Sequence, residues 1–262
     1  MTTMQQRSSW QIQKSVLHAL LVRELKTRFG QYRLGIVWAL LEPLMQIMVF
    51  MALYYFRGTA MMGGLVLPVF LATGLAPYFY FQKVINQSMG AVSANQNLFI
   101  YRQVRVFDAF LCRFLMEAVI AFVVLVALIG GAWWLGYQVT VVNSLKFLLV
   151  FGLLSLFSFG TGLALGVFNT VHSEIGKFIP MLMRPLFYIS GTFFSINDIP
   201  PSVQPLLLWN PLMHAFELLR SCFSPHYNVS LVSMEYLMIC TLVAMTFGML
   251  MYRANWRRML TR

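Results

Sequence analysis

Four arginines stand where long apolar runs begin: Arg28 and Arg33 before the first, Arg102 and Arg105 before the third. A guanidinium keeps its charge and grips a carboxylate or phosphate with two parallel hydrogen bonds, which suits capture of an anionic group at a membrane surface. The same four charges also suit a plainer role, anchoring to anionic lipid, worth about 1 kcal/mol each. Glu42 lies inside the first apolar run, next to Pro43. A carboxylate there costs about 2.5–3.5 kcal/mol unless it is paired or hydrated. The proline removes a helix hydrogen bond. Two readings follow: a hydrated, kinked wall of a pathway, or a structural ion pair. Trp38, near the same end of that run, offers a ring face on which the apolar CH face of a sugar can stack. The remaining aromatics of the first two runs, Tyr54, Tyr55, Phe56, Tyr78, Phe79, Tyr80 and Phe81, read as an interfacial belt.

Catalytic signatures are missing. The chain has no GxxxxGK[ST] sequence, so it cannot cradle nucleotide phosphates by that route, and it has neither HExxH nor GxSxG. Its eight carboxylates form no spaced cluster of the kind a metal-dependent membrane transferase needs. Cys112, Cys222 and Cys240 are odd in number and scattered, which gives no disulfide or metal framework. No catalytic residue, metal or cofactor is expected on this chain.

The elements that carry these residues follow from composition. Of 262 residues, 59% are hydrophobic and only 10% charged, and the mean hydropathy is +0.72. An ordinary soluble domain has about a quarter of its residues charged. The fold class is therefore an all-α integral membrane protein. The net charge of +11 would suggest nucleic acid in a soluble chain. Here the Lys/Arg bias of cytoplasmic loops explains it, and no nucleic-acid partner is expected.

Residues 1–33 form a basic, imperfectly amphipathic segment. Leu17, Leu21, Leu25 and Phe29 stand four apart, which predicts a helix lying in the membrane interface. Residues 34–262 then form the transmembrane domain, with six spans at about 34–56, 65–81, 106–135, 147–171, 178–194 and 236–251. A polar loop covers 82–105. Residues 195–235 are Pro-rich with short apolar runs, which predicts two short helices that enter the outer leaflet and leave again. With both termini inside, 16 of the 19 basic residues face the cytoplasm, and only Arg57, Lys146 and Arg220 lie outside. Gly162 and Gly166 in the fourth span predict close helix packing. Arg105 with Asp108, and Arg113 with Glu117, predict local pairing along one helix.

Three motifs in order resemble a family. Arg23-Glu24-Leu25-Lys26-Thr27-Arg28-Phe29-Gly30 runs on through Arg33-Leu34-Gly35 and Trp38 to Leu41-Glu42-Pro43. Next comes Ala94-Asn95-Gln96-Asn97-Leu98-Phe99 with Tyr101-Arg102. Last comes Leu208-Trp209-Asn210-Pro211-Leu212 with Glu217 and Arg220. Together they resemble the ABC-2 type permeases that export polysaccharide, most closely those of capsule exporters, over nearly the whole chain.

The resemblance implies a homodimer joined to two separate ATPase subunits, which use ATP and Mg. It implies a lipid-linked capsular polysaccharide as substrate and a bacterial inner-membrane location among membrane lipids. It also implies periplasmic co-polymerase and outer-membrane export partners. Asn95, Asn97, Leu98, Phe99 and Tyr101 would lie in the segment that couples to the ATPase. Permeases for O-antigen or teichoic acid are alternatives within transport. A membrane-embedded glycosyl- or acyltransferase is the alternative outside it.

Overall fold

Apolar residues at helical spacing dominate the architecture. The computed structural model describes residues 8–29, 35–59, 61–101, 103–172 and 174–260. The order is α1 (Ser9–Phe29), α2 (Gly35–Phe56), a short antiparallel ribbon of β1 (Met61–Met62) and β2 (Leu65–Val66), α3 (Leu67–Met89) and a 3-10 turn at Ser93–Leu98. Then follow α4 (Val106–Trp134), α5 (Ser144–Val171), α6 (Ile175–Ile189), α7 (Gln204–Leu207), α8 (Pro211–Arg220) and α9 (Met234–Leu260). Local signals set several ends. Asn143 caps α5 by accepting from the Lys146 N–H at 2.9 Å. Asn210 caps α8 by accepting from the Leu212 N–H at 3.0 Å, with Pro211 in the first turn, where its missing N–H has no helical partner to lose.

Helix α5 is the axis of the bundle and packs along α9, α3 and α8. The backbones approach closely where α5 and α9 meet. A Cβ on Gly248 would lie 2.5 Å from the Gly160 carbonyl oxygen. Gly162 and Gly166 face Ser88 of α3, so this pair packs inside the chain as its spacing predicts. Among the described residues, Val106–Trp134, Ser144–Val171 and Met234–Met259 are long and apolar enough to cross a bilayer.

Several boundaries and faces differ from the sequence expectation. Helix α3, which holds the second apolar run, continues past 81 to Met89, because Val84, Ile85, Ser88 and Met89 keep one face buried. Gln82 and Lys83 are therefore helical, not part of a loop. Helix α6 ends at Ile189, five residues before the expected limit, because the chain turns at Gly191 (φ 70°) and Arg220 binds the carbonyls that follow. In α1 the buried face centres on Leu20, while Leu25 is exposed. Polar contacts choose that face. Gln13 donates to Asp108, and Glu24 pairs with Arg113 at 2.5 Å. Arg113 thus finds an ion-pair partner on α1. Asp108 accepts from the backbone N–H of Arg105 at 3.0 Å. Tyr78, Tyr80 and Phe81 are buried in the bundle and cannot form a belt, whereas Tyr55 and Phe56 are exposed at the end of α2. Arg220 is fully enclosed within the protein.

Candidate substrate pathway

Helices α2, α3 and α6 enclose an open groove of about 770 Å³. Its walls are Phe50 from α2, Tyr78 and Phe79 from α3, and Phe187 and Tyr188 from α6, with Gln46, Gln82 and Arg184 as its polar groups. Phe187 is the hub. Its ring lies 5.1 Å from that of Tyr78, 6.0 Å from Phe79 and 5.8 Å from Phe193. Tyr78 is locked by donating its hydroxyl to the Met183 carbonyl, and Tyr54 likewise donates to the Phe193 carbonyl. The rings are thus fixed before any ligand arrives. Apolar walls with a few convergent polar groups are the usual form of a small-molecule site, and fixed aromatic faces suit the CH faces of sugar rings.

A second cleft adjoins it through Gln46 and Phe79. Glu42, Pro43, Lys83, Tyr80 and Glu117 line it. Glu42 accepts from Lys83 at 2.7 Å across α2 and α3, with 57% of the Glu42 side chain exposed. Glu42 is thus ion-paired, and it also lines the cleft beside buried Pro43. Trp38 is 69% exposed on α2, away from the rings of the groove.

Of the other residues singled out from the sequence, those described fall at the α1 end. Arg28 is helical in α1, but its side chain lies outside the described residues, as do Arg33 and Arg102. Arg105 is exposed at the start of α4. In the expected coupling segment, Asn95 is set apart. It is buried, accepts from Arg23 and donates to the Ala91 carbonyl at 2.8 Å, so it fixes the turn from within. Leu98 and Phe99 are half-buried. Asn97, Ile100 and Tyr101 are exposed, Ile100 at 82%. Ile100 and Phe187 escaped the sequence reading. Arg184, counted there among the basic residues that face the cytoplasm, lines the groove between α2, α3 and α6.

The opposite end is held by ions. Glu217 and Arg220 pair at 2.9 Å with no exposure. Arg220 also donates to the carbonyls of Phe194 (3.0 Å), Gly191 (2.7 Å) and Thr192 (3.1 Å), and lies 3.7 Å from the centre of the Phe70 ring. Glu217 accepts from Tyr227 (2.9 Å), Ser195 (3.2 Å) and the Ile196 N–H (3.3 Å). Gly74 makes room for this network, because a Cβ there would strike Arg220 and the Thr192 carbonyl.

Comparison with known proteins decides what these parts belong to. The sequence profile of the ABC-2 type transporters matches residues 15–224. The chain belongs to the ABC-2 type transporter family. It is 38% identical to the polysialic acid transport protein KpsM of Escherichia coli over 97% of this chain and 99% of that one. It is 28% identical to the capsule polysaccharide export inner-membrane protein CtrC of Neisseria meningitidis serogroup B, over 96% of both. It is 29% identical to the capsule polysaccharide export inner-membrane protein BexB of Haemophilus influenzae, over 94% of this chain and 93% of that one. As an ABC-2 family member the chain is a transport subunit, not an enzyme.

Proposed function

We propose that this ABC-2 permease exports a lipid-linked capsular polysaccharide across a bacterial inner membrane, driven by ATP hydrolysis on a separate subunit. The observation that carries the reading is the aromatic groove between α2, α3 and α6, with rings fixed by Tyr78 and Phe187. The names of the relatives point to the same cargo. In this reading α2, α3, α4, α5, α6 and α9 are six spans and both termini are cytoplasmic. Residues 195–235, with α7 and α8, dip into the outer leaflet.

Two copies of the chain assemble with two ATPase subunits, which hold ATP and Mg. Exposed Asn97, Ile100 and Tyr101 offer the ATPase a surface, with Leu98 and Phe99 beneath. Arg28, Arg33, Arg102 and Arg105 stand where the polymer arrives, and periplasmic and outer-membrane proteins receive it. Deletion of the chain in its host tests the reading. Polymer accumulates inside the cell, and the wild-type chain restores it to the surface. Surface polymer that survives deletion refutes export by this chain.

A further inference from the structure

Arg184 stands in the groove with no carboxylate paired to it among the described residues. At 1.5 Å per residue it lies about 14 Å along α6, a helix of about 22 Å, and Gln46 lies about 16 Å along α2, a helix of about 33 Å, so both stand in helix interiors. The two other cations set within neighbouring helices each have a carboxylate: Lys83 has Glu42 and Arg113 has Glu24. Arg184 forms no ion pair among the described residues and is exposed to the groove. Glu42, in the adjoining cleft, is already held by Lys83 at 2.7 Å. Ionisable residues at membrane depth are costly and mark pathways.

The groove thus presents a guanidinium that needs a carboxylate beside ring faces that suit a sugar. Both belong to one kind of ligand, an acidic sugar unit. We propose that Arg184 reads the carboxylate of acidic sugar units, so that the permease prefers acidic polymer to neutral polymer. This rests on the reading that the groove holds the polymer.

The test uses the permease–ATPase complex in lipid nanodiscs, with labelled hexagalacturonate and its neutral methyl ester as probes in equilibrium dialysis. The wild type binds the acid at least about tenfold tighter, the worth of one hydrogen-bonded charge. Arg184→Gln removes the acid's advantage over the ester, and Arg184→Lys keeps part of it. An acid preference that survives Arg184→Gln overturns the proposal. Discs containing phosphatidic acid provide a further arm. If acid binding disappears there while ester binding stays, Arg184 serves lipid phosphate and the proposal is overturned. Equal binding of both probes by the wild type overturns it too, but leaves the groove as the polymer site. Binding of neither removes the reading on which it rests.

Discussion

Arg220 and Glu217 are joined at 2.9 Å with both side chains wholly enclosed, and the pair ties α8 to the 191–196 loop and to α3. Charges so buried need hydrogen-bond partners beyond each other, and here three carbonyls, two hydroxyls and a backbone N–H supply them. Removing one member strands the other. Arg220→Ala is expected to destabilise the chain by about 3–5 kcal/mol. Glu217→Gln, which keeps the shape and part of the hydrogen bonding, should cost less. Thermal unfolding of the detergent-solubilised chain measures both. An unchanged melting temperature for Arg220→Ala contradicts the account.

Helix α1 is held to the bundle chiefly by Glu24 on Arg113 at 2.5 Å, aided by Arg113 donating to the Gln87 carbonyl at 2.8 Å and by Gln13 on Asp108. Glu24→Ala leaves a mostly buried guanidinium unpaired and should release the helix. Trypsin should then cut at Lys26 several times faster than in the wild type. Equal cleavage rates show that Glu24 does not hold α1.

Both of these contacts mark the limit of sequence reading. The apolar runs at 106–135 and 147–171 coincide with helices α4 and α5, whose stretches from Ala118 and from Phe147 onward carry no charge. The face of α1 was not legible. It is chosen by Arg113, 89 residues away from Glu24, and periodicity carries no information about such a partner. The same holds for Arg220, whose burial depends on carbonyls of the 191–194 turn. The aromatic groove was half legible: its α3 rings were noticed, but read as a belt, because Phe187 comes from a helix remote in sequence.

The surface beyond the 3-10 turn should carry the ATPase contact. Ile100→Ser with Tyr101→Ser is expected to reduce ATPase copurification several-fold while the permease still inserts. These two are cleaner probes than Leu98 or Phe99, which are half-buried. Unchanged copurification argues against docking there.

Orientation is tested by single cysteines in a Cys-free chain treated from outside with an impermeant thiol reagent. Trp209, 82% exposed in the segment between α7 and α8, should label as cysteine in intact spheroplasts. Ser8, ahead of α1, should label only after lysis. Labelling of the Ser8 position in intact spheroplasts reverses the topology.

The central claim is that polymer crosses through the groove around Phe187. Its most direct test is reconstitution of the permease and its ATPase in proteoliposomes, with lipid-linked polymer presented on the outer, ATP-bearing face. The account predicts that ATP moves the polymer inside, where an added endoglycosidase no longer reaches it. Phe187→Ala should abolish that protection while the complex stays assembled. Protection that develops at the wild-type rate in Phe187→Ala would contradict it.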